Sequence, residues 1–213
     1  MEVQNHGLVF EDKVIQRITG MPKLAYQSLL KNGYTASMDI HKGYNSDHNY
    51  SIKTSKDGKA IGCGDILRFT RHCESEPFKI VSAAWTQINN KTKLFNKVFE
   101  FDITPEQYAV LWGGITPDIL EPFVDYVKNI PHGSAGQAAN KDLWKQKRDI
   151  IYEEYGKGIA TIDAKIDSKS QRRVQCSIKI QDMIDVGIPF VKYDIEYKGI
   201  TLPYEQESSP RSF

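Results

Sequence analysis

The chain has 213 residues, 40% of them hydrophobic and 26% charged, with a formal net charge of +1 at pH 7. This is long enough to bury a real core and ordinary for a globular protein. The charge balance excludes a polybasic coat, and no apolar run approaches the roughly 18 residues that cross a membrane.

Taken in order, residues 8–18 place Phe10, Val14 and Ile18 at a spacing of four, which predicts a helix stopped by Gly20. Pro22 opens a second helix through Leu24, Leu29 and Leu30, with Asn32-Gly33 as its stop. Strands are predicted over 34–40 and 50–54, joined by a turn at 43–48, and a further turn falls at Asp57-Gly58. Gly62-Cys63-Gly64 reads as punctuation before a helix over 65–72. Two strands follow, 78–88 and 94–103, joined by the polar turn Asn89-Asn90-Lys91. Thr104-Pro105 and Thr116-Pro117 each pair a capping threonine with a proline in first position, predicting two helix starts. Residues 131–139 read as a loop and 140–155 as a charged helix closed by Gly156. Strands are expected over 159–166, 174–180 and 190–197, with a short helix at 182–185 between the last two, and a disordered tail over 205–213.

The pattern predicts a single α/β (α+β) domain. Its parts are a core over 1–103, a helical part over 104–158, a β region for DNA contact over 159–204 and the tail. Cys63, Cys73 and Cys176 are odd in number and form no Cys-x-x-Cys, and the N-terminus lacks signal-peptide features. Reduced thiols, no zinc site and a cytoplasmic location are therefore expected.

The chemistry concentrates between Met38 and Arg71. Asp39 closes one apolar run, and Ser51-Ile52-Lys53 follows twelve positions on; Asp65 lies twelve beyond Lys53 at a helix start. Neighbouring strands can bring an acid and a lysine out on one face. An acid embedded in Ala-Ser-Met-Asp-Ile is costly to bury unless something pairs with it. His41 and His48 flank the segment. Ser-Ile-Lys recurs as Ser177-Ile178-Lys179, behind Asp163 and Asp167, and offers a rival centre. It lies inside a basic strip, Lys165, Lys169, Arg172, Arg173 and Lys179, of the kind phosphate binding requires. Gln171 to Gln175 carries side chains that read base edges, and Arg68 and Arg71 on the helix after Asp65 are further phosphate-contact candidates.

Asp39 with Ser51-x-Lys53 resembles the PD-(D/E)xK core of restriction-endonuclease-like nucleases. Met38 stands where the family has proline, and Ser51 stands in place of the second acid. The arrangement is similar to the Ser-x-Lys variant, in which the following helix supplies the missing carboxylate, here Asp65. By the same resemblance, Glu11 matches the helical glutamate near the second metal position.

The resemblance implies a restriction-endonuclease-like core, with a mixed central sheet flanked by helices, a helical insertion and a C-terminal β region. It implies a metal-dependent endonuclease cutting duplex DNA, of the type II restriction enzyme kind and acting as a homodimer. Asp39 and Asp65 would bind Mg2+, with Mn2+ as a substitute; Lys53 would support charge and water activation, and Ser51 and Glu11 would assist. Arg68, Arg71, Arg172, Arg173, Gln175 and Lys179 would contact DNA. A non-catalytic nucleic-acid-binding protein on the same fold, and a repair or phage-type nuclease, are the alternatives.

Overall fold

The computed structural model describes residues 5–30, 38–167 and 171–207. These make a mixed α/β fold of two compact units that interleave along the chain. The first is formed from 1–61, 77–103 and 187–213, the second from 62–76 and 104–186.

In the first unit, α1 (Asn5–Thr19) buries Phe10, Val14 and Ile15 along one stripe. It ends where Thr19 Oγ1 donates to the Ile15 carbonyl at 2.8 Å. Gly20 then takes φ +76°, the left-handed conformation that closes helices without a Cβ penalty. Helix α2 (Lys23–Leu29) turns back at Pro22 and is tied to α1 by the Lys23 amide, which donates to Asp12 Oδ1 at 2.9 Å.

The sheet of this unit holds β1 (Tyr50–Lys56), β3 (Phe78–Asn89), β4 (Thr92–Ile103), β7 (Phe190–Tyr193) and β10 (Tyr204–Glu207). β1 runs parallel to β3, while β3 pairs antiparallel with β4. β7 and β10 pair antiparallel with successive stretches of β4. Helices α1 and α2 cover one face, where Phe10, Val14, Ile15 and Tyr26 pack on Ile52, Val81, Ala83, Trp85 and Phe95. A two-stranded ribbon, β8 (Glu196–Tyr197) and β9 (Ile200–Thr201), adds Tyr197 and Ile200 to that core.

The second unit contains β2 (Ala60–Asp65), α3 (Ile66–Ser75), a 3-10 turn (Pro105–Gln107), α4 (Tyr108–Trp112), α5 (Pro117–Lys128), α6 (Ser134–Asn140), α7 (Leu143–Tyr155), β5 (Thr161–Ile166), β6 (Arg172–Lys179) and α8 (Ile180–Asp185). The strand β2 lies mostly in this unit. Its sheet has the order β2-β6-β5, with β5 and β6 antiparallel. Thr104 and Gln107 form a reciprocal capping box at the 3-10 turn, as Thr104-Pro105 foretold.

Four expectations change. Gly62-Cys63-Gly64 is strand, because Ile61 and Cys63 alternate inward while Gly62 and Asp65 stay exposed. Residues 134–139, read as loop, are helical as part of α6, launched from Gly133. Residues 204–207, read in part as tail, pair with Thr92–Phe95 of β4. Of the strand expected over 34–40, residues 34–37 lie outside the described residues, as do Asn32-Gly33 and 208–213; Met38 and Asp39 are bends, and only Ile40 bridges, to Tyr50. The strands within residues 159–204 fall in both units. β5 and β6 belong to the second unit, and β7 to β9 to the first.

Candidate active site

Asp39 reaches β1 through a short hairpin-like return. The amides of Asp39 and Ile40 both donate to the Tyr50 carbonyl, at 2.9 and 3.1 Å, and the Tyr50 amide donates back to Ile40 at 2.8 Å. Between them the chain is held by Asn49, whose buried side chain accepts from the Lys42 amide at 2.8 Å. His41 donates its amide to the Tyr26 hydroxyl at 2.8 Å.

This return sets the Asp39 carboxylate against the middle of β1. Its Oδ2 accepts from the Ile52 amide at 2.6 Å and from Lys53 Nζ at 2.8 Å. Lys53 Nζ also donates to the Ile52 carbonyl at 3.0 Å. Both side chains are about one-quarter exposed, at 24% for Asp39 and 25% for Lys53, so the pair is held by the backbone yet open to solvent. Ser51 is buried two residues earlier on β1, opposite Ile80.

Glu11 on α1 completes the group. Its Oε2 pairs with Lys23 Nζ at 2.8 Å, both side chains being largely covered. Burial, and after it the negative charge of Asp39, raises the Glu11 carboxyl above its ordinary range; Lys23 and Lys53 oppose that shift. Two carboxylates and two ammonium groups thus share one region of the first unit. Lys23 escapes any reading of the sequence, because only the docking of α2 on α1 brings it to Glu11.

A magnesium ion takes oxygen ligands and is commonly held by one or two carboxylates plus waters and substrate. Asp39 and Glu11 meet that donor chemistry, and their mutual repulsion is what a cation relieves. Among the described residues no three His, Cys, Asp or Glu side chains cluster to hold a metal by themselves.

The remaining candidates belong to the second unit. Asp65 is the N-cap of α3, its Oδ1 accepting from the Arg68 amide at 3.0 Å. Arg71 is exposed and ion-paired with Glu121. Arg172 is 9% exposed and donates to the carbonyls of Ile130, Asp167, Gln171 and Pro131, at 2.9, 2.6, 2.7 and 2.6 Å. That guanidinium is committed to the fold. Alternation on β6 sends Arg173, Gln175, Ser177 and Lys179 to the other face, where Lys165 of β5 stands opposite Arg173. At the second Ser-Ile-Lys, Ser177 Oγ donates to Asp163 Oδ2 at 3.0 Å. Lys169 lies outside the described residues.

Cys63, Cys73 and Cys176 are all buried free thiols. Burial raises the Cys176 thiol far above its ordinary value, and its contact with Cys63 adds to the shift. No helix among the described residues is long and apolar enough to cross a membrane. Comparison with protein-family models, with curated proteins and with solved structures found no match for this chain.

Proposed function

We propose that the protein is a metal-dependent endodeoxyribonuclease on a restriction-endonuclease-like core. The observation that carries the reading is the Asp39–Lys53 pair on the β1 return, with the Glu11 carboxylate close enough to feel the charge of Asp39. Phosphodiester hydrolysis builds negative charge on the phosphoryl oxygens, and a lysine fixed beside them stabilises it. Lys53 fills that role, since its ammonium is held by Asp39 and by the Ile52 carbonyl while remaining part-exposed. Asp39 and Glu11 would hold Mg2+, with Mn2+ as a substitute. When bound, the ion supplies positive charge at the phosphate and lowers the pKa of water.

Substrate would be duplex DNA, with Arg68, Arg71 and the outward residues Arg173, Gln175 and Lys179 as contacts. A homodimer follows if the site is palindromic, because two-fold protein symmetry then matches two-fold DNA symmetry. The test is incubation of mixed-sequence duplex with the protein and Mg2+. Discrete fragments that disappear with Lys53→Ala or Asp39→Asn support the reading.

A second reading, nucleic-acid binding without catalysis, draws on one specific observation. Asp39 Oδ2 already accepts from two donors, as a purely structural acid would. Gel-shift binding without metal, and no cleavage on adding it, would select this reading.

A further inference from the structure

The proposed centre carries its own cations. Asp39 is matched by Lys53 and Glu11 by Lys23, at 2.8 Å in each pair, so two negative charges are balanced by two positive ones. A divalent ion on Asp39 and Glu11 would face ammonium groups already seated on its ligands, and like charges across one carboxylate repel. The balance is restored when one ammonium leaves.

The two pairs are not built alike. Lys53 stands in the middle of β1, which is paired along its length with β3. Its Nζ donates to the Ile52 carbonyl as well as to Asp39, and Asp39 Oδ2 has the Ile52 amide as a second donor. Backbone groups on both sides therefore keep that pair together. Lys23 opens α2, a helix of seven residues whose one buried residue is Tyr26, while Leu24 and Leu29 are exposed. This end of α2 is tied down through the Lys23 main chain, whose amide donates to Asp12 Oδ1 at 2.9 Å. That anchor leaves the flexible four-carbon stem able to swing about a fixed point. The Glu11 carboxylate is also the more dependent on its partner. Burial, and after it the charge of Asp39, work against its ionised form, and Lys23 is the main group opposing them. A metal ion on Glu11 would take over that support.

We propose that Lys23 is the resident counter-ion of Glu11 and gives this carboxylate up to a divalent cation, so that ammonium and metal compete for one ligand. Asp12 is the positioning residue, holding the Lys23 backbone beside α1 in both states. The inference rests on Asp39 and Glu11 being the metal ligands, but it does not require that DNA be cut.

Two measurements on the full chain test it. Calorimetric titration with Mg2+ shows binding tightened about threefold or more by Lys23→Gln, because the competitor is gone. Acylation of lysine amines, read residue by residue by peptide mass spectrometry, reports the ammonium itself in the unaltered protein. Saturating Mg2+ raises the reactivity of Lys23 about threefold or more and leaves the exposed Lys59 unchanged. In Glu11→Gln, Lys23 reacts at the raised rate with or without Mg2+. Mg2+ binding that leaves Lys23 reactivity unchanged, or that is equal or weaker in Lys23→Gln, overturns the proposal and leaves the nuclease reading standing if DNA is still cut. The expected Mg2+ responses beside uncut DNA support the proposal and remove the nuclease reading. No Mg2+ binding by any of the proteins overturns both.

Discussion

Replacing Arg172 by alanine removes four hydrogen bonds from a charged donor to the carbonyls of Ile130, Pro131, Asp167 and Gln171. Bonds to a charged group are each worth about 1.5–3 kcal/mol, but four bonds sharing one side chain do not add, and water reaches the outer carbonyls. A loss of about 3 kcal/mol is the expected outcome, in the range of broken buried networks. Arg173, the exposed neighbour on the other face of β6, sets the contrast: Arg173→Ala changes stability by no more than about 0.5 kcal/mol and acts on nucleic-acid binding. Urea unfolding followed by tryptophan fluorescence reads both, since Trp112 and Trp144 lie in the second unit. If Arg172→Ala keeps the unfolding midpoint and instead lowers affinity for duplex DNA, the assignment of this arginine to the fold is wrong.

Three further outcomes follow from the geometry. Glu11 has a raised pKa, so from its ordinary value of 4.5 upward the folded state holds a proton that the unfolded state has released. Stability of the unaltered protein relative to Glu11→Gln therefore falls as pH rises through that window, and thermal midpoints measured from acid to neutral pH that diverge the other way would contradict the assignment. Mg2+ at ten times its dissociation constant stabilises the unaltered protein by about 1.4 kcal/mol, and Asp39→Asn largely abolishes the gain; an equal gain in the variant removes Asp39 from the metal site. Gly136 lies inside α6, where alanine is ordinarily better by about 1 kcal/mol. Its Cβ would come within 2.0 Å of the Pro131 carbonyl oxygen, so Gly136→Ala lowers the thermal midpoint, and a rise would refute the close approach.

Much of the local structure was legible. Phe10 and Val14 at helical spacing, the Gly20 stop, the two Thr-Pro starts and the paired strands around Asn90 are local signals, and each lies where short-range physics puts it. What escaped depends on distant partners. Gly62-Cys63-Gly64 becomes strand because β6 pairs with it, and Tyr204–Glu207 because β4 offers an open edge. No residue within 62–76 announces that this stretch leaves the first unit and joins 104–186. The same holds for the site. Asp39 and Lys53 could be paired from alternation and a turn, but Lys23 required the α1–α2 corner. Arg172 and Arg173 are chemically identical in the sequence, and only their opposite faces on β6 separate a structural arginine from an exposed one.

The proposed hydrolytic centre is Asp39 with Lys53. The most direct measurement is cleavage of supercoiled and linear duplex DNA by the purified chain with Mg2+, beside Lys53→Ala and with EDTA. Metal-dependent cutting is expected, reduced by at least about a hundredfold in Lys53→Ala at unchanged thermal stability. Cutting that survives Lys53→Ala undiminished, or intact DNA with a folded protein and metal present, would contradict it.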